Sequence, residues 1–278
     1  MATLPNALPQ LAADPSGRVL GLELPLPPGR LIDDGGTSHA LEAVGEDDGP
    51  WHEPLLWCAD EPAAPGAWAA VRPVRRTAGL LPVLLDVGGG QDGPVGWELM
   101  PGETSYPGDH DADEVLAGFW DEYAGAEDPD WPGLTEPAVV GPPGDPDALA
   151  AATADALVQD PSRLKDPRIA LVPARRSADI PAAIGWTGPV NHENDVARLC
   201  AVLRSWEDRF GIRVVALTFD QLVLSVAAPP ATGAEAEAVA AEHFAFCPAN
   251  IRQGTADGTR ASYARTLLGA PVWSFWWD

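Results

Sequence analysis

The strongest hydrophobic pattern lies in residues 194–210. There Val196, Leu199, Cys200, Leu203, Trp206 and Phe210 recur at helical spacing, while Arg198, Arg204, Asp208 and Arg209 fall mostly on the other side. This predicts a long amphipathic helix. Asn191 or Asn194 can cap its start, and Gly211 suits a left-handed exit. Two β-rich runs follow, 213–219 and 222–227, separated only by Asp220 and Gln221. A parallel crossover needs a dozen or more residues, so this spacing predicts an antiparallel hairpin. Residues 234–246 read as a helix that must stop near Cys247, because Pro248 lacks the donor to continue it. Residues 257–268 predict another helix, capped by Asp257 and released at Gly269, and 272–277 a closing strand. Ahead of this block, 168–172 reads as a strand and 177–185 as a short helix.

The first half is more broken, with Pro and Gly at 24–29, 88–90 and 140–147. Its clearest strand is 80–87, LLPVLLDV, whose near-continuous apolarity predicts burial on both faces. Pro82 should then sit near the strand's start or at a bulge. Residues 18–24, 53–59 and 95–100 are weaker strand candidates, and 66–77 is ambiguous because Pro73 interrupts it. A helix is predicted over 111–123, where Val115, Leu116, Phe119 and Tyr123 share a face, and a short one over 147–158. Helices alternating with a hairpin and a closing strand predict an α+β fold, with a mixed or mainly antiparallel sheet covered by helices. The segment VGPPGDPD at 140–147 marks a boundary between an acidic N-terminal region, 1–150, and a C-terminal α+β domain, 151–278.

Charge sharpens that division. The 278 residues carry 41 Asp and Glu against 17 Lys and Arg, a formal net charge of -24. Residues 1–150 hold 27 acidic and 5 basic side chains, whereas 151–278 hold 14 and 12. Residues 101–150 have 13 acidic residues and no Lys or Arg, which favours solvent exposure or a basic partner. The same sign argues against nucleic acid and against anionic membrane surfaces. No run approaches the roughly 18 apolar residues that span a bilayer, and the opening lacks a signal-peptide pattern, so a cytoplasmic location is expected. Cys58, Cys200 and Cys247 are scattered and predict reduced, partly buried thiols, not a disulfide scaffold.

Many common chemistries lack their motifs. No GxGxxG follows a strand, no phosphate-loop Lys-Ser/Thr pair exists, and HExxH, GxSxG and deaminase spacings are missing. Asp109, Asp111, Asp113 and Glu114 lack the spacing of a calcium loop, and no metal or cofactor is expected. The densest reactive cluster is Glu242, His243 and Cys247. On a helix, His243 and Cys247 lie four residues apart and share a face, so the imidazole could draw off the thiol's proton. The alternative reading is a core histidine beside an inert thiol. A second group surrounds the loop at 185–195, where Trp186, Asn191 and His192 can converge on a helix start to receive a small ligand. Trp273 and Trp277 share one face of the closing strand and Trp276 takes the other.

The run RIALVPARRSADIPAAIGWTGPVN, followed by LRSWEDRFGIRVVAL, AEHFAFCPANI and WSFWWD, resembles a bacterial, mainly actinobacterial, family catalogued as domain of unknown function 4253. The similarity covers residues 165–278, and TAGLLPVLL at 77–85 also looks like the upstream part of such proteins. It marks Trp186, Asn191, Trp206, Glu207, Gly211, Asp220, Glu242, His243, Cys247, Pro248, Asn250 and the terminal aromatics as family-like, without assigning them roles. Similar sequences often carry an acidic residue where this chain has Ala249, which removes carboxylate chemistry from that position. The expectation drawn from the sequence is a binding or immunity-like protein docking a basic partner through its acidic half. Catalysis by His243 with Cys247 or Glu242 is the alternative, and Trp186, Asn191, His192, Asp220 and Asn250 are the candidate ligand contacts.

Overall fold

The computed structural model describes residues 6–13, 20, 26–33, 38–40, 54–89, 93–125, 129–136 and 144–277. Eight strands form one sheet: β1 (Gly29–Asp33), β2 (Ser38–Ala40), β3 (Pro54–Ala59), β4 (Leu80–Asp86), β5 (Pro167–Pro173), β6 (Ile212–Leu217), β7 (Gln221–Val226) and β8 (Val272–Trp276). Their spatial order is β2-β1-β3-β5-β4-β6-β7-β8. Every neighbouring pair is antiparallel except β4 and β6, which run parallel. The architecture is therefore α+β with a largely antiparallel sheet. Strands from either side of residue 150 alternate within it, because β5 lies between β3 and β4, and β4 lies between β5 and β6.

Period-two alternation sends side chains to two cores. Leu81, Val83 and Leu85 of β4, with Ala170 and Val172 of β5, enter one core; Leu80 and Leu84, with Ile169 and Leu171, enter the other. This is why LLPVLLDV carries so few polar residues. Every residue of β4 is buried. Pro82 pairs opposite Leu171, and the parallel ladder to β6 begins two residues further on, at Leu84. The hairpin expected near Asp220 forms, with a register irregularity between Val214 and Ala216.

The larger core is roofed by α4 (Ala112–Tyr123), α6 (Ile180–Ile184), α7 (Val196–Phe210), α8 (Gly233–Phe246), α9 (Ala249–Arg252) and α10 (Arg260–Leu267). On the opposite face lie α1 (Leu8–Ala13), α2 (Ala67–Val71), α3 (Val74–Ala78) and α5 (Pro146–Val158). Pro73 divides the ambiguous segment 66–77 into the two short helices α2 and α3. Local chemistry sets the helix starts. Asp111 caps α4 by accepting from the amides of Asp113 and Glu114, and Thr232 with Glu235 forms a reciprocal capping box on α8.

Several boundaries differ from the sequence expectation. The cap of α7 is Asp195, whose carboxylate accepts from the amide of Ala197 at 3.1 Å, and not Asn191 or Asn194. Thr259 caps α10; Asp257 instead ties Thr259 and Ser262 together from the preceding turn. Residues 95–100 form no strand. A 3-10 turn at Gly93–Gly96 leads into an irregular segment that packs on the end of α6, where the amide of Met100 donates to Gly185 O at 2.8 Å. The strand expected over 18–24 lies outside the described residues, apart from Leu20. Among the described residues, no helix is long and apolar enough to cross a membrane.

Gly185 fixes that contact. Its φ is 63°, and a Cβ there would sit 2.1 Å from Pro101 N and 2.3 Å from Met100 C. Both the left-handed backbone and the approach of another backbone require glycine. Gly185→Ala should therefore cost at least about 2 kcal/mol of folding stability, read from the shift of the urea unfolding midpoint.

Candidate functional site

The motif AEHFAFCPAN spans the end of α8 and the start of α9, and its polar side chains all point inward. Glu242 has no exposed surface. Its Oε1 accepts from Thr135 N at 2.7 Å and Arg209 Nη1 at 2.8 Å, and its Oε2 from Trp206 Nε1 at 2.7 Å and Arg209 Nη2 at 2.6 Å. The guanidinium grips both oxygens in fork geometry and also donates to Thr135 O at 2.9 Å. Helix phase alone places Arg209 outside the apolar stripe of α7. Instead, its long stem reaches over the end of that stripe to the buried carboxylate. With four donors already on its two oxygens, Glu242 is an anchor and holds no open position for a substrate proton.

His243 is equally enclosed. Its ring lies between Trp273, at 4.5 Å between centroids, Phe275 and Trp206, both at 4.9 Å, and its Nδ1 is 3.0 Å from the hydroxyl of Tyr263. Burial, reinforced by the Arg209 charge, pushes its pKa down to about 3, so the ring is neutral at physiological pH. The Cys247 thiol points away towards β8, where it donates to Trp276 O at 3.0 Å. Burial raises its pKa to about 11, which keeps it a thiol. Spacing of four residues does put His243 and Cys247 on one helix face, but that face is packed against β8.

Asn250 completes the same seam. Its Nδ2 donates to Ser274 O at 2.5 Å, and its Oδ1 accepts from Trp276 N at 3.2 Å. β8 is the last strand of the sheet, so these outward backbone groups would otherwise be an open edge. One asparagine amide and one thiol thus serve as a partial substitute for a ninth strand.

The loop after α6 is dispersed by the fold. Trp186 is buried, donating from Nε1 to Thr218 O at 2.9 Å and meeting Trp277 edge-on. Asp220 shapes the hairpin turn: its carboxylate accepts from Thr218 Oγ1 at 2.9 Å, and its carbonyl from Trp277 N at 3.0 Å. Asn191 is exposed. His192 turns the other way, stacked on Tyr123 at 5.1 Å and against Phe119 at 4.6 Å; burial pushes its pKa down to about 4. Of the proposed ligand contacts, Trp186 and Asp220 meet around Thr218, while Asn250 lies in the β8 seam and His192 on α4. Among the described residues, no three His, Cys, Asp or Glu side chains come together to hold a metal ion.

Residues 168–278 match the model of a domain of unknown function, DUF4253. Curated proteins and solved structures were also compared, and neither gave a match. The matched segment contributes β5, β6, β7 and β8, but β4, from upstream, fills the slot between β5 and β6. The DUF4253 segment therefore shares one sheet with residues that precede it. Sequence reasoning found Glu242, His243, Cys247 and Asn250 but missed their partners Arg209, Tyr263 and Thr135. The missing signal was physical: a glutamate amid Val239, Ala240, Ala245 and Phe246 requires a buried cation, and Arg209 is three residues beyond Trp206 on the helix packed against it.

Two consequences are measurable. Removing one member of a buried ion pair strands the other, so Arg209→Met should cost about 3–5 kcal/mol in denaturant unfolding. Adding Glu242→Gln, which removes the stranded charge and keeps an acceptor for one of Trp206 and Thr135, should recover part of that loss. For His243 the folded pKa is depressed, so the unfolded chain binds a proton that the native state refuses. Stability is full above about pH 6.5 and falls as the pH drops towards about 3, by about 2 kcal/mol between pH 6.5 and 5. Because His192 is also depressed, to about 4, and contributes a similar loss, His243→Phe should reduce the slope between the two pH values by about half, read from unfolding midpoints.

Proposed function

We propose that this protein is a binding module that docks a basic protein partner, immunity-like in mode, through the acidic face of α4. The supporting observation is electrostatic. Asp113, Glu114, Asp121 and Glu122 are exposed on α4, with Asp109 and Asp130 exposed beside it. Among the described residues, none of the six has a Lys or Arg within ion-pair distance. Arg198, which lies over the Phe119 ring of α4 at 5.1 Å, is paired with Glu193.

Helix stability does not account for these charges. Asp113 and Glu114 favour the positive end of the helix dipole, but Asp121 and Glu122 occupy its negative end, where each costs about 0.3–1 kcal/mol; Arg252 donates to Tyr123 O at that end, 2.7 Å away, but among the described residues it forms no ion pair with either carboxylate. The opposite face, Val115, Leu116, Phe119 and Trp120, is buried, so the carboxylates stand on a rigid element. A catalytic reading on His243 with Cys247 or Glu242 has no comparable support, because all three side chains are enclosed.

The quadruple substitution Asp113→Asn, Glu114→Gln, Asp121→Asn, Glu122→Gln leaves the buried face and the Trp131–Asp113 hydrogen bond able to form. The wild-type chain should retain a basic protein from its host at about 50 mM salt and release it at about 500 mM. The quadruple variant should retain none at either. Equal retention by the two chains, or retention indifferent to salt, overturns the reading.

A further inference from the structure

Of the five basic residues in positions 1–150, three fall within positions 72–76: Arg72, Arg75 and Arg76. The turn from α2 to α3 brings them together along an open cleft of about 640 Å³, whose wall also includes Asp147 at the start of α5. Arg213, from the start of β6, reaches the same carboxylate from the inner side, its Nε 2.6 Å from Asp147 Oδ1. Arg75 Nη1 lies 3.3 Å from Asp147 Oδ2, and Arg72 Nη2 lies 2.9 Å from Asp145 Oδ2. Three guanidiniums thus line the cleft opposite Asp145 and Asp147, while Arg213 on the inner side is shared between Asp147 and Glu207, whose Oε1 lies 3.5 Å from its Nη1; the cleft keeps a small local excess of positive charge in a chain whose net charge is -24.

Donor capacity points the same way. A guanidinium offers five N–H donors. Arg72 and Arg75 each commit one Nη to a carboxylate, and among the described residues Arg76 makes no ion pair or side-chain hydrogen bond. A structural tie between α3 and α5 requires one arginine, not three. The remaining donors line a concave volume within the range of small-molecule sites. The chain's overall charge repels a nucleic acid backbone, so the anion must be small. A tetrahedral dianion presents enough oxygens to engage three guanidiniums together, whereas a carboxylate has two.

We infer that this arginine cleft binds a small phosphate-bearing molecule, held by Arg72, Arg75 and Arg76, with Asp145 and Asp147 as the counter-charges it displaces. The site shares no residue with the acidic face of α4, so either can fail without the other.

Calorimetric titration at constant ionic strength tests it, with inorganic phosphate, phenyl phosphate and acetate as probes. Both phosphates should bind saturably with Kd below about 10 mM, and acetate at least about tenfold more weakly. Arg76→Gln, at an exposed position without an ion pair, should fold normally and weaken phosphate by about tenfold. Asp145→Asn keeps a competent helix cap and should tighten it. Tighter binding of the ester than of inorganic phosphate assigns the site to a phosphomonoester, and equal binding assigns it to free phosphate. No saturable heat from either phosphate, or unchanged affinity in Arg76→Gln, overturns the proposal.

Discussion

The buried carboxylate of Glu242 is the constraint around which the larger core is arranged. A charge without water is tolerable only if its lone pairs are filled by fixed donors. Here those donors come from α7, through Trp206 and Arg209, and from the segment around Thr135. The registry between α7 and α8 is thereby pinned at one point. The aromatic rings of Trp206, Phe246, Trp273 and Phe275 close over the same place, and His243 fills the remaining volume as a neutral ring. Residues with the vocabulary of an active site have been spent on specifying how helices sit on a sheet.

The fold was largely legible because its signals are periodic. The stripe of α7, the two-sided apolarity of β4 and the short hairpin turn each have one physical solution, and the chain adopts it. Caps were less legible, since Asn191, Asn194 and Asp195 are all competent cap residues and composition does not say which one the chain uses; it uses Asp195. The segment 95–100 has alternation enough for a strand, but its backbone is drawn to Gly185 instead. The candidate site was legible as a group of neighbours and illegible as chemistry. Spacing reports that His243 and Cys247 share a helix face; whether that face meets solvent or β8 depends on residues about thirty positions away. Arg209 shows the same limit, because a long side chain can cross from the polar to the apolar side of its helix.

Charge is distributed by layer. The carboxylates of α4, without an ion pair among the described residues, lie on the helical roof of the larger core, and the arginine cleft lies among α2, α3 and α5 on the other side of the sheet. A chain with so strong a net charge would gain from spreading its few arginines evenly among its acids. Concentrating three of them in one turn forgoes that gain, as does placing acids at the wrong end of α4.

The insertion of β4 between β5 and β6 sets a timetable for synthesis. Leu85 of β4 meets its parallel partner Leu217 only when well over a hundred further residues have been made. At ordinary elongation speeds that interval is on the order of ten seconds, and until β5 is made, roughly the first two-thirds of it, the largely apolar strand has neither neighbour. Until β5 and β6 are made, that strand exposes apolar surface and open backbone edges of the kind that promote aggregation, so the order of synthesis weighs on this fold as well as its final energy.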